Sequence, residues 1–216
     1  MMAVVLLSNE TALAWTEEEK GGFNEKFIPP HRIPVVEHTP WQDRNIRLPI
    51  KTREQVINFL KQKLQTGLYE RSQSSYRSGF FAVEKKDGRI RIVHDLQKLN
   101  SVTIRDAGLP PNMDEMTEDL AGCHIYTALD AFAGYDQMAL HPDSRDLTSF
   151  ESPLGTMRLC RLPQGWTNAV AAFQRAMSFI FVNEIPDHVS IYIDDVTVKG
   201  SRTMYLMADG TPEMIL

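Results

Sequence analysis

The sequence predicts an α+β fold in which antiparallel hairpins and amphipathic helices follow one another, and three observations carry that expectation. Two β-rich runs, residues 79–86 and 89–93, flank the pair Asp87-Gly88. That is a strong hairpin signal, because a two-residue type I′ turn needs positive φ at both central positions. A second β-rich run, Val189-Ser190-Ile191-Tyr192-Ile193-Asp194-Asp195-Val196-Thr197-Val198, alternates apolar residues but carries two carboxylates in its middle. Burying two adjacent charges in a strand is costly, so a hairpin bending at or beside the pair is expected. Apolar residues recur at helical spacing at 56, 57, 60 and 64, and again at 170, 173, 177, 180 and 181.

Taken in order, residues 1–50 show no clear period. Residues 17–20 are a polar helix fragment at best, and prolines at 29, 30, 34, 40 and 49 favour extended chain, so this stretch reads as an arm or linker. Thr52-Arg53-Glu54-Gln55 has the form of a capping box before a helix bearing Val56, Ile57, Leu60 and Leu64, with Gly67 as its stop. The hairpin over 79–93 gathers Lys85, Lys86, Arg89 and Arg91 near its tip. Basic residues there can discourage edge-to-edge aggregation, and they can equally clamp a triphosphate or phosphodiester. Residues 112–120, with Met113, Met116 and Leu120 in register, predict a short helix leading into a strand over 125–130 that ends in Asp130. Phe132-Ala133-Gly134-Tyr135 turns the chain. Residues 148–150 and 157–162 predict two strands joined through Pro153-Leu154-Gly155. A loop over 162–168 precedes the second helix, whose Ala169, Ala171, Ala172 and Ala176 allow close packing on a sheet, and which stops before Pro186. Residues 209–212 read as loop.

At 216 residues the chain is long enough for one large domain or two small ones, and 43% hydrophobic with 24% charged residues is ordinary for a soluble globular protein. Cys123 and Cys160 are far apart and read as reduced thiols of an intracellular protein, with a structural disulfide as the alternative. No apolar run reaches membrane-spanning length, and the short apolar stretch at 3–7 is not expected to be a signal peptide. The net charge of −5 is unevenly spread. Residues 44–105 hold 14 Lys and Arg against 5 Asp and Glu, a local +9 beside −14 for the remainder. Such asymmetry suits a protein that holds a polyanion on a basic face and carries metal-binding carboxylates elsewhere, although a solvated face would also account for it. The Asp194-Asp195 pair has two readings as well. Asp is a favoured turn residue, and paired carboxylates are the donors that hard divalent cations need for phosphoryl chemistry.

The motifs then carry a resemblance. Tyr192-Ile193-Asp194-Asp195 resembles the Tyr-x-Asp-Asp box of reverse transcriptases. Leu162-Pro163-Gln164-Gly165-Trp166-Thr167-Asn168-Ala169 with Phe173-Gln174 resembles the box just upstream of it. Leu129-Asp130 with Gly134-Tyr135 resembles the first catalytic box, and residues 81–88 through Asp95 and Leu99-Asn100 resemble the fingers segment. Four boxes occur in the family's order over about residues 48–200, in the style of gypsy-class long-terminal-repeat retrotransposons and retroviral polymerases. His94 and Gln97 depart from the family's usual apolar residue and Arg.

The resemblance implies a polymerase fingers-and-palm fold with a ferredoxin-like palm and antiparallel sheet, truncated before its last helix and strand. Its segments would be an arm at 1–47, fingers at 48–122, palm with inserted fingers strands at 123–200, and a tail at 201–216. It implies RNA-directed DNA polymerisation with two Mg²⁺ or Mn²⁺ ions held by Asp130, Asp194 and Asp195. Lys85 and Arg91 would hold the incoming triphosphate, Tyr135 would lie under the sugar, and Gln164 would touch nucleotide or template. Tyr192 would lie against the primer end, with Lys86 and Arg89 as further primer or template contacts. The implied partners are an RNA or DNA template with primer, deoxynucleoside triphosphates, and the missing C-terminal polymerase parts in cis or trans; no membrane is implied. The implied place is intracellular, in a cytoplasmic virus-like particle or the nucleus. Two alternatives remain at this stage: a catalytically silent polymerase-derived fragment that binds nucleic acid, and a two-metal nuclease using the same carboxylates.

Overall fold

The computed structural model describes residues 8–10, 14, 16, 19, 21–44, 47–86, 88–200, 205–206 and 212–213. Its elements in chain order are α1 (Ile50–Gln65), β1 (Tyr69–Arg71), β2 (Phe80–Glu84), β3 (Ile90–His94), α2 (Gln97–Val102), α3 (Met113–Leu120), β4 (Tyr126–Asp130) and α4 (Gly134–Gln137). They continue with α5 (Pro142–Arg145), a 3₁₀ turn (Asp146–Thr148), β5 (Phe150–Ser152), β6 (Gly155–Leu159), α6 (Ala169–Ile180), β7 (Val189–Tyr192), β8 (Asp195–Lys199), β9 (Tyr205–Leu206) and β10 (Pro212–Glu213). The chain forms two compact units, one of Met1–Arg105 with Tyr135–Ala169, the other of Asp106–Gly134 with Val170–Leu216. The boundary after residue 105 places α3 in the second unit, where the sequence reading had put it in the 48–122 segment.

In the first unit, the apolar stripe of α1 behaves as its spacing requires, with Val56 and Leu60 wholly buried. The expected capping box does not form. The helix begins three residues earlier, after Pro49, so Thr52 lies inside the first turn and its hydroxyl donates back to the Pro49 carbonyl at 3.3 Å. Strands β2 and β3 pair antiparallel, Phe80 opposite His94 and Glu84 opposite Ile90. The turn is wider than the two-residue form predicted. The Lys85 N–H donates to the Arg89 carbonyl at 2.7 Å and the Gly88 N–H donates to the Lys85 carbonyl at 2.9 Å. Gly88, at φ +79°, takes the left-handed position that closes a three-residue loop. A second antiparallel sheet has the order β1-β6-β5. The core joins α1 to both sheets through Val56, Leu60, Phe80, Ile92, Phe150, Met157 and Leu159. The arm is extended, as expected, but it is strapped down. Bridges link His31 with Leu140, Val35 with Thr103 and Gln42 with Arg77, and Ile33 and Trp41 are buried. The polar fragment at 17–20 falls largely outside the described residues.

His94 borders this core, and its ring packs 4.6 Å from that of Phe150. Its Nε2 is 3.0 Å from the Tyr69 hydroxyl, and its Nδ1 is buried without a hydrogen-bond partner. Burial pushes its pKa down from 6.5 to about 4. The unfolded chain therefore takes up the proton first as pH falls. The contribution is fully present above pH 6.5 and is lost as pH drops toward about 4, roughly 3 kcal/mol in all. Urea denaturation at pH 7 and pH 4.5 should show a smaller acid-side loss of stability in His94→Phe than in the parent; equal losses would exclude His94 as the cause.

In the second unit, Asn112 caps α3, its side chain accepting from the Asp114 N–H at 2.9 Å. The sheet order is β4-β8-β7, all antiparallel, with β8 central. All five residues of the edge strand β4 are exposed. Helix α6 turns Ala171, Ala172, Phe173, Ala176 and Met177 inward and leaves Val170, Phe179 and Ile180 exposed. Gly134 cannot carry a side chain, since a Cβ there would stand 2.5 Å from the wholly buried Phe173 ring. Lys199 is buried against the Asp119 carboxylate and the Pro186 carbonyl, which ties β8 to α3. Strand β9 pairs antiparallel with β10. Pro212 therefore belongs to a strand, and the rest of the loop expected at 209–212 lies outside the described residues. Both cysteines are free. No helix among the described residues is long and apolar enough to cross a membrane.

Candidate active site

The three carboxylates singled out in the sequence lie in the second unit, and their backbone placement follows from sheet register. Asp130 is the last residue of β4 and stands directly opposite Asp195, the first residue of β8. Opposed residues in an antiparallel pair share a face with Cβ atoms about 4.5–5.5 Å apart. Tyr192 opposes Asp195 on the other side, so the hairpin turn consists of Ile193 and Asp194. The bend therefore falls beside the acidic pair, with Asp194 in the turn and Asp195 already in the returning strand. The Asp194 carbonyl accepts from the Ala131 N–H at 3.2 Å, fastening the turn to the end of β4. Ile193 has φ +58°. For a β-branched residue that conformation costs about 1–2 kcal/mol, and such strain collects at functional sites.

The donor set suits a hard divalent cation, being carboxylate oxygen throughout. The side chains themselves do not close a cage. Among the described residues no group of three or more His, Cys, Asp or Glu is gathered closely enough to hold a metal ion. The register sets the Asp130 and Asp195 backbones opposite one another, with Asp194 in the adjoining turn. Asp130 and Asp195 are both exposed.

The other predicted site residues divide between the units. Tyr192 is half-buried in the second. Lys85, Lys86, Arg89, Arg91, Tyr135 and Gln164 belong to the first. Lys85, Lys86, Arg89 and Arg91 are exposed around the β2–β3 turn, and Tyr135 is half-buried in α4. Arg91 and Gln164 meet, the guanidinium Nη2 donating to Gln164 Oε1 at 3.2 Å.

Asn100 has a structural part that the sequence reading did not assign. Its Nδ2 donates to the Gly165 carbonyl at 3.0 Å and its Oδ1 accepts from the Thr167 N–H at 2.9 Å. Together with the Trp166 Nε1 bond to Thr103 Oγ1 at 3.0 Å, it anchors the loop bearing Gln164 to α2 and the residue after it. Gln174 is the other omission. It is a nearly buried amide within the apolar stripe of α6, and the signal for it was a polar residue directly after Phe173 at a core-facing position.

The fold matches that of reverse transcriptases of known structure. The chain superposes on the crystal structure of the prototype foamy virus protease-reverse transcriptase with a TM-score of 0.81 at 23% identity, over 92% of this chain and 26% of that one. The foamy viral protease-reverse transcriptase in complex with an RNA/DNA hybrid gives a TM-score of 0.79, at 22% identity over the same shares. The family model described as reverse transcriptase (RNA-dependent DNA polymerase) matches residues 83–207, more than half of the chain, and the chain belongs to that family. Relatives in Drosophila melanogaster include the retrovirus-related Pol polyprotein from transposon 297, 31% identical over 89% of this chain and 18% of the relative. That from transposon gypsy is 33% identical over 77% of this chain and 17% of the relative. The chain therefore spans less than a fifth of the length of these curated relatives.

Proposed function

We propose that the chain is the fingers and front-palm part of an RNA-directed DNA polymerase from a long-terminal-repeat retroelement. The observation that carries this reading is the pairing of Asp130 with Asp195 beside the Asp194 turn, in a chain that belongs to the reverse transcriptase family. On this reading, Asp130, Asp194 and Asp195 hold two Mg²⁺ or Mn²⁺ ions. Bound metal would make the primer 3′-hydroxyl nucleophilic and neutralise charge building on the phosphoryl oxygens. The hydroxyl gives up its proton to solvent, its oxygen bonds to the α-phosphorus of the incoming deoxynucleotide, and pyrophosphate departs with the electrons of the broken P–O bond.

The chain's own residues do the positioning. Lys85 and Arg91 bind the triphosphate as charge-assisted donors, and the contact to Gln164 orients the Arg91 guanidinium. Lys86, Arg89 and Tyr192 contact template and primer. Binding through Lys and Arg to phosphates makes the association steeply salt-dependent. The foamy viral protease-reverse transcriptase in complex with an RNA/DNA hybrid supports a nucleic-acid partner of this kind.

Tyr135 follows Gly134, where no side chain fits, and on this reading its ring excludes a 2′-hydroxyl. Primer extension on an RNA template, with a version extended at its C-terminus by polymerase sequence, tests this. Tyr135→Ala should raise ribonucleotide incorporation by about 10²-fold and leave deoxynucleotide incorporation within a few-fold. Unchanged sugar selection would remove Tyr135 from the site, and absence of any templated extension by the parent would overturn the polymerase reading.

A further inference from the structure

The turn that carries the acidic pair is held in a conformation its own residues do not favour. Ile193 keeps φ at +58°, where a β-branched side chain crowds its backbone and where glycine would sit freely. The group that holds it comes from α6. Gln174 Oε1 accepts from the Ile193 N–H at 2.7 Å. Its Nε2 faces the Ile191 carbonyl at 3.4 Å and the Ser178 hydroxyl at 3.3 Å. Gln174 is only 6% exposed. A side chain offering an acceptor and a donor at once is needed to meet the Ile193 N–H and the Ile191 carbonyl together, and an amide does so. A methionine or leucine would fill the same volume and leave that N–H without its partner.

We propose that Gln174 is a positioning residue for the Asp194 and Asp195 carboxylates. By fixing the left-handed turn at Ile193 it stands both groups at the sheet end beside Asp130. The Ala131 N–H, through its bond to the Asp194 carbonyl, fixes the other side of the same turn. This assignment rests on reading the three carboxylates as metal-binding.

The test uses the 216-residue chain and three variants, Gln174→Met, Asp194→Asn, and Gln174→Met combined with Ile193→Gly. Mn²⁺ binding is titrated by electron paramagnetic resonance, and exchange of the residue 193 amide is followed by NMR. In Gln174→Met, amide exchange should speed up and Mn²⁺ affinity should fall, each by about tenfold, as loss of one well-made hydrogen bond predicts. Adding Ile193→Gly should bring Mn²⁺ affinity back to within about threefold of the parent, because glycine holds positive φ without the clamp. A residue that merely packs α6 would gain nothing from a change in the turn. Parental Mn²⁺ affinity in Gln174→Met, or no rescue in the double variant, would overturn the positioning role while Asp194→Asn still abolishes binding. Mn²⁺ binding indifferent to Asp194→Asn would instead overturn the metal reading, and the positioning role with it.

Discussion

If the chain is a polymerase as proposed, Asp194→Asn should lower nucleotide addition by about 10³-fold, the scale seen when a group that stabilises developing charge is removed from a prepared site. The substitution keeps the size and shape of the side chain and removes its charge. It also leaves the backbone bond from the Ala131 N–H to the Asp194 carbonyl in place, and Asn is well tolerated in a turn. Stability should therefore move by no more than about 0.5 kcal/mol. The measurements are primer extension with Mg²⁺ or Mn²⁺, on the chain and on a version extended at its C-terminus, alongside thermal unfolding of both. A variant that extends primers like its parent removes Asp194 from the chemistry. One that loses activity together with its fold shows the residue to be structural. Asp130→Asn and Asp195→Asn should fall in the same range, since the two residues oppose each other at the end of the sheet.

Phe150→Ala destabilises the first unit by about 3–5 kcal/mol, the usual result of emptying a wholly buried aromatic site. Phe150 is 0% exposed and its ring meets Tyr69 at 5.6 Å, Phe80 at 5.3 Å and His94 at 4.6 Å. These neighbours come from three different strands and cannot all move inward to fill the space. A loss of that size is a large share of the roughly 5–15 kcal/mol that holds a typical domain together. Urea denaturation should show a lower midpoint with little change in slope, and Phe150→Leu should recover most of the loss. A midpoint near that of the parent for Phe150→Ala would mean that the core is centred elsewhere.

Much of this protein was legible without coordinates wherever a local rule acts alone. The 3.6-residue period put Val56 and Leu60 on the buried face of α1, and the same period with its alanines marked α6. Two acidic residues inside a β-rich run required a bend, and the bend is there at Ile193 and Asp194. The order of the four boxes placed the chain among reverse transcriptases, and the family match over 83–207 agrees. Where two local signals competed, the reading slipped. Thr52 looked like a cap, but Pro49 starts the helix earlier, because its fixed φ already suits a helix entry. Asp87-Gly88 looked like a two-residue turn, but the bond from the Lys85 N–H to the Arg89 carbonyl closes a longer loop, with Gly88 in the left-handed position.

What the sequence determined by itself was therefore the kind and order of the elements and the residue types available for chemistry. Tertiary structure alone decided which of those residues face one another. Asp130 and Asp195 are 65 positions apart, and only the β4–β8 register sets them opposite. The arm at 31–42 carries no period, yet it is held by bridges to Arg77, Thr103 and Leu140, partners that no local pattern names. Ile193 holds a conformation that its own side chain opposes, because Gln174, 19 positions earlier on a helix, supplies the hydrogen bond that offsets the strain. Periodicity and turn preference are properties of neighbouring residues. Register, clamping and the sharing of a face are properties of segments brought together by burial, and a linear pattern does not contain them.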